Sequence, residues 1–94
     1  MAGAGVKRPS EVYWASQAEH DREHWRKHDR RILGRIDRLL QDILEHPFSG
    51  IGKPEPLRYE WSGYWSRRIT SEHRLVYRVE GNTVFVAQCR FHYD

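Results

Sequence analysis

Residues 29–46 read DRRILGRIDRLLQDILEH, and their spacing decides the fold. Ile32, Leu33, Ile36, Leu39, Leu40, Ile43 and Leu44 recur at i, i+3, i+4 and i+7, the period of a helix with one buried stripe. Asp29 stands at the N-cap position and Pro47 closes the run. Residues 47–56 (PFSGIGKPEP) hold three Pro and two Gly, and read as an ordered loop. Beyond them the period changes from 3.6 to 2. Residues 57–61, 64–70, 74–79 and 83–93 read as four strands, with turns at Ser62-Gly63, residues 71–73 and Gly81-Asn82.

Working back from the helix, residues 11–15 (EVYWA) read as a short first strand. Ser16 with Glu19 three positions on forms a capping box for a first helix, whose main apolar residues are Ala18 and Trp25. The order is therefore βααββββ. It predicts an α+β fold: a twisted antiparallel β-sheet with two N-terminal helices packed on one face. Residues 1–10 (MAGAGVKRPS) read as a flexible extension and residues 11–94 as one domain. The extension has no apolar core and is not a secretory signal. In the last strand Phe85, Ala87, Cys89 and Phe91 are expected to face the helices, with Val84, Val86, Gln88, Arg90 and His92 opposite. In the strand before, Arg74, Val76 and Arg78 oppose Leu75, Tyr77 and Val79. Arg74 and His92 are thus expected to share the open face, an assignment that one bulge would invert.

Composition narrows the class. Ninety-four residues fit one core, and four Trp, five Tyr and three Phe argue against disorder despite a mean hydropathy of −0.87. No apolar run approaches the length of a membrane span. The single Cys89 excludes an intramolecular disulfide framework and points to a reducing, cytoplasmic setting. Sixteen basic residues against thirteen acidic give +3, which excludes an acidic mimic of nucleic acid. Only Lys7, Lys27 and Lys53 of the sixteen are Lys. Arg is the stronger bidentate phosphate ligand, although a GC-rich genome raises Arg in the same way. Residues 22–38 carry seven cations and three anions.

Several constellations can be weighed. His20, His24 and His28 are spaced at i, i+4 and i+8, but the zinc-protease pattern and completing ligands are missing, so a solvated helix face is expected and no metal. Gly50-Ile51-Gly52-Lys53 resembles part of a phosphate-binding loop, yet Pro54 follows the Lys and a strand follows where a helix is required. Cys89 falls at a core position and reads as an inert buried thiol. What remains is Glu55, Arg58, Arg67, Arg68, Arg74, His92 and Tyr93. Cleavage of an RNA phosphodiester needs a base for the 2′-hydroxyl, an acid for the 5′-oxygen and cations for the dianionic transition state, and this set holds all three types. No cofactor is expected.

The blocks GKPEPL (residues 52–57), SGYWSRRIT (62–70), EHRLVY (72–77) and CRFHY (89–93) closely resemble the YoeB toxins, of the RelE superfamily of toxin–antitoxin systems. The resemblance runs from about Trp14 to Tyr93. It implies a microbial RNase-type fold and an mRNA endoribonuclease that enters the ribosomal A site and cuts the codon there. It implies neutralisation by a YefM-like antitoxin, promoter DNA binding only through the toxin–antitoxin complex, and a toxin that is often a homodimer. Carried over residue by residue, Glu55 is the expected general base, Arg74 the phosphate and transition-state stabiliser, His92 the general acid and Tyr93 the residue that positions the RNA. Lys53, Arg58 and Arg68 are the cations expected near the RNA. Asp94 departs from a family that commonly ends at the Tyr. The alternative is a non-catalytic RNA- or DNA-binding module, or a co-repressor acting with an antitoxin.

Overall fold

The apolar stripe of residues 29–46 forms the central helix in the computed structural model, which describes residues 8–92. Helix α2 spans Arg30–Glu45, and Ile36, Leu39, Leu40 and Ile43 are buried along one side, flanked by half-buried Ile32, Leu33 and Leu44. Asp29 caps it as expected, its carboxylate accepting from Arg31 N at 3.1 Å and Ile32 N at 3.3 Å. The helix is otherwise poorly suited to its dipole: Arg30 and Arg31 occupy the first turn, and no basic residue occupies the last. Gly34 in its middle costs about 1 kcal/mol relative to Ala. Burial of the stripe, about 1.5–3 kcal/mol for each enclosed Leu or Ile, outweighs both.

Helix α1 spans Ser16–His28 and buries Ala18, Asp21 and Trp25. The expected capping box does not form. Ala15 is the cap residue, because its N–H continues the sheet by donating to Val86 O at 2.9 Å, so Ser16 is already inside the helix.

The strands are β1 (Glu11–Trp14), β2 (Glu55–Pro56), β3 (Trp65–Arg68), β4 (Arg74–Glu80) and β5 (Thr83–Gln88), arranged β1-β5-β4-β3-β2. The order βααββββ and the α+β class hold. The sheet is antiparallel except at one edge, where β1 runs parallel to β5. Short turns dictate antiparallel pairing only between sequential strands, and β1 reaches β5 through the rest of the chain. Residues 57–61 are not a strand. Tyr59 takes a φ of 59°, and Tyr59–Trp61 forms a 3-10 turn closed by Ser62 N donating to Tyr59 O at 2.9 Å, so pairing moves back to Glu55–Pro56. Of the expected N-terminal extension, residues 1–7 lie outside the described residues. Pro9 is buried, and Ser10 N donates to Asn82 O at 2.8 Å.

The last strand stops at Gln88, and its expected faces are reversed. Val84 and Val86 face the helices with Leu75 and Tyr77, whereas Phe85 lies on the open face between Arg78, whose guanidinium carbon is 4.3 Å from its ring centre, and Tyr13, at 5.5 Å between ring centres. A bulge then shifts the register: Tyr77 pairs with Val86 but Val76 pairs with Gln88, leaving Ala87 as the extra residue. Cys89 is buried as expected, and Phe91 is exposed rather than core.

Candidate active site

Directly paired residues in an antiparallel ladder point to the same face. Arg67 pairs with Leu75 and Trp65 with Tyr77, on the helix side. Glu55 pairs with Ser66, Ser66 with Val76 and Val76 with Gln88, which makes a row across four strands on the other side. Arg68 and Arg74 pair with each other one step along the same face. The register thus brings Glu55, Arg68 and Arg74 together on the sheet face away from the helices, around the buried Ser66 and Val76.

The loop that delivers Lys53 and Glu55 is held from beneath by Arg67. This side chain is fully buried, and its guanidinium donates to Asp42 Oδ2 at 2.5 Å, Ile51 O at 3.0 Å, His46 O at 2.5 Å, Ser49 O at 2.8 Å and the Tyr77 hydroxyl at 3.2 Å. Tyr77 in turn donates to Pro47 O at 2.6 Å, and Ile51 N to Asp42 at 3.0 Å. Burial works to raise the Asp42 carboxyl, but the hydrogen bonds from Arg67 and Ile51 and the Arg67 charge outweigh it and hold it below the usual carboxylate range. The glycines serve this staple rather than a phosphate. A Cβ on Gly50 (φ 115°) would lie 1.9 Å from Asp42 Oδ2, and one on Gly52 (φ 80°) 2.7 Å from Leu39 Cδ2. Arg67, grouped from the sequence with the catalytic cations, faces the core because alternation sends neighbouring Arg67 and Arg68 to opposite sides.

The other end of the site is latched by α1. Asp21 accepts from Cys89 N at 3.0 Å and from Gln17 at 2.8 Å, and Trp25 Nε1 donates to Cys89 O at 2.8 Å. Beyond this latch Arg74 N donates to Phe91 O at 3.1 Å, and Phe91 N donates to His73 Nδ1 at 2.7 Å. His92 therefore follows a segment tied to the backbone of Arg74. Neither Asp21 nor His73 was marked by the sequence as functional. The one available signal was a carboxylate placed between Ala18 and Trp25 on the buried side of α1.

The individual residues are placed as follows. Glu55, Lys53, Arg58, Arg68 and His92 are exposed, and Glu55 and Arg58 line a common cleft of about 290 Å³. Lys53 takes a φ of 52° and leads from the stapled loop into β2. Arg74 is half-buried. Its Nη1 donates to Thr70 O at 3.0 Å, and its Nε and Nη2 have no hydrogen bond among the described residues. No hydrogen bond or ion pair joins Glu55, Arg74 and His92 to one another among the described residues. Tyr93 lies outside them. Burial pushes the Cys89 thiol up to about 12, which removes the thiolate a nucleophile requires. The His24 and His28 rings stand 4.6 Å apart, and no described group of three or more His, Cys, Asp or Glu is placed to hold a metal. No helix among the described residues is long and apolar enough to cross a membrane.

Two helices on one face of a five-stranded sheet, with Glu55, Arg68 and Arg74 on the other, is the architecture of solved bacterial toxins to which this chain is similar. The chain superposes on the YoeB/ParE toxin from Agrobacterium tumefaciens with a TM-score of 0.87 and 46% identity, covering 89% of this chain and all of that one. It also matches the YoeB chain of the heterotetrameric YoeB–YefM toxin–antitoxin complex from Staphylococcus aureus, with a TM-score of 0.83 and 39% identity over 93% of this chain and all of that one. Toxin YoeB of Escherichia coli K12 is 46% identical over 82 residues, 87% of this chain and 98% of that protein. Residues 14–93 match the family model described as the YoeB-like toxin of bacterial type II toxin–antitoxin systems, and this chain belongs to that family.

Proposed function

We propose that this chain is a metal-independent endoribonuclease that cuts mRNA in the ribosomal A site and so arrests translation. The observation that carries the reading is the shared open face of Glu55, Arg68 and Arg74, with His92 on a segment tied to the Arg74 backbone. Glu55 takes the proton of the 2′-hydroxyl as its oxygen attacks phosphorus. The bond to the 5′-oxygen breaks, and His92 supplies the proton to that leaving group. Arg74, whose Nε and Nη2 have no hydrogen bond among the described residues, holds the phosphate as its charge grows. Tyr93 positions the RNA, and Lys53, Arg58 and Arg68 hold its backbone. The products are a 2′,3′-cyclic phosphate and a 5′-hydroxyl. The family supports a YefM-like antitoxin that covers this face, and a homodimeric toxin. Residues 11–94 act as one toxin domain.

The test is 5′-end mapping of mRNA in a translating extract with and without the protein. Cuts phased to codons are expected; unphased cuts indicate a free ribonuclease, and no cuts indicate a binding module. Protein stripped with EDTA and added to magnesium-supplied ribosomes is expected to cut at full rate. Loss of cutting overturns the metal-free chemistry.

A further inference from the structure

The chain reaches His92 through a strained residue. Phe91 takes a φ of 65°, in the left-handed region that a residue with a Cβ rarely enters, and its side chain is exposed, so burial does not offset the strain. Such a conformation persists only where the surroundings hold it. Two consecutive residues hold both backbone groups of Phe91. Its N–H donates to His73 Nδ1 at 2.7 Å, and its carbonyl accepts from Arg74 N at 3.1 Å. One residue on, His92 O accepts from Gln88 Nε2 at 3.5 Å, the weak limit of a hydrogen bond.

The imidazole that accepts from Phe91 is itself fixed. The His73 ring stands edge-on to Trp25, with centres 4.8 Å apart, and 5.8 Å from the Phe91 ring. Trp25 is buried, and its Nε1 donates to Cys89 O at 2.8 Å. The backbone of His73 is tied on both sides: its carbonyl accepts from Ile69 N at 2.9 Å and Thr70 N at 3.2 Å, and its N–H donates to Thr70 Oγ1 at 3.1 Å. Nδ1 accepts only while it carries no proton, so the neutral ring is protonated at Nε2. His73, Phe91 and His92 line one cleft of about 510 Å³.

We infer that His73 is a positioning residue: its Nδ1 holds Phe91 left-handed and thereby aims His92 at the leaving group, which rests on His92 being the general acid of the proposed function. A general acid gives up its proton in the transition state, so misplacing it slows the chemical step and leaves binding of the message unchanged. Two variants separate the acceptor from the ring. His73→Phe keeps an aromatic ring against Trp25 without an acceptor, whereas His73→Asn loses the ring but keeps an acceptor one bond beyond Cγ, where Nδ1 stood. Single-turnover cutting of a ribosome-bound message at saturating toxin is expected to fall by about 10–10²-fold in His73→Phe, with the half-saturating concentration unchanged. His73→Asn is expected to cut within about 3-fold of the parent rate. On a message whose scissile 5′-oxygen is replaced by sulfur, a leaving group that needs no proton, His73→Phe is expected to match the parent. NMR of the isotope-labelled, RNA-free protein is expected to show scalar coupling between Phe91 N and His73 Nδ1 across their hydrogen bond.

Parent-like cutting by His73→Phe, or a raised half-saturating concentration at an unchanged rate, overturns the inference. So does His73→Asn as slow as His73→Phe, or an undiminished defect on the sulfur-bridged message. The coupling and His73→Asn decide the matter even where His73→Phe does not fold. A parent that never cuts while the coupling is present removes the proposed function and leaves the hold on Phe91 standing; a parent that cuts without the coupling removes this inference alone.

Discussion

Replacing Arg67 by Met tests whether the active-site loop is held in place by a buried charge. The substitution keeps the apolar stem and removes all the donors that reach Asp42, Tyr77 and the carbonyls of His46, Ser49 and Ile51. Removing one partner of a buried ion pair costs about 3–5 kcal/mol, because the other is left uncompensated. Here Asp42 keeps 21% of its side-chain surface and the loop carbonyls lie near solvent, so water recovers part of the loss and the lower half of that range applies. For a chain of this size, that loss lowers the melting temperature by roughly 12–30 °C. Asp42→Asn keeps the shape but leaves the fully buried Arg67 charge without its counter-ion, and is expected to cost about as much, roughly 3 kcal/mol or more. Urea unfolding followed by Trp fluorescence measures both, together with the double variant. Because each single change breaks the same interaction, the double variant should be more stable than the sum by about 1 kcal/mol or more. Within 1 kcal/mol of the parent for Arg67→Met, or strict additivity in the cycle, refutes the staple.

The same pair sets a pH dependence. The folded Asp42 carboxyl titrates below its unfolded value of about 3.9, so the unfolded chain binds the proton more readily. The stability it contributes is full above that value and is lost as pH falls through the lower folded pKa; Asp42→Asn should show a shallower acid limb, and an identical limb contradicts this. Gly50→Ala places a methyl against Asp42 at a φ of 115° and is expected to cost about 1–3 kcal/mol; a neutral result by urea unfolding contradicts the loop geometry. Asp21→Ala strips Cys89 N of its acceptor and should loosen residues 89–92, raising amide exchange there more than in β4; uniform exchange rates count against the latch. Cys89 should resist iodoacetamide in the folded protein, its thiolate fraction being about 10³-fold below that of a free Cys of pKa 8.5, and rapid native labelling contradicts its burial.

Much of this architecture can be read from residues whose environment is one-sided. The α2 stripe and the alternation of Leu75, Tyr77 and Val79 against Arg74 and Arg78 mark one apolar face and one mostly polar face, Val76 being the exception on the second. Strand β5 offers no such contrast. Val84, Phe85, Val86 and Ala87 are all apolar, so periodicity alone cannot tell which pair faces the helices, and the bulge at Ala87 decides it. Residues 57–61 mislead for a related reason, since Leu57, Tyr59 and Trp61 alternate like a strand while Tyr59 turns left-handed. In the site, Glu55, Arg68 and Arg74 are legible as residue types, but their common face depends on pairing register between distant segments. Arg67 and Asp21 were hidden for the same cause: a buried charge is defined by partners 25 and 68 residues away.

The central claim is that Glu55 and His92 perform acid–base cleavage of mRNA on the ribosome. Single-turnover cutting of a ribosome-bound message by the parent protein, Glu55→Gln and His92→Gln tests it most directly, with the upstream end of the cut identified chemically. Each substitution is expected to slow cutting by about 10²–10⁴-fold, and the parent to leave a 2′,3′-cyclic phosphate. Unchanged rates in both variants, or a 3′-hydroxyl at the cut, would contradict it.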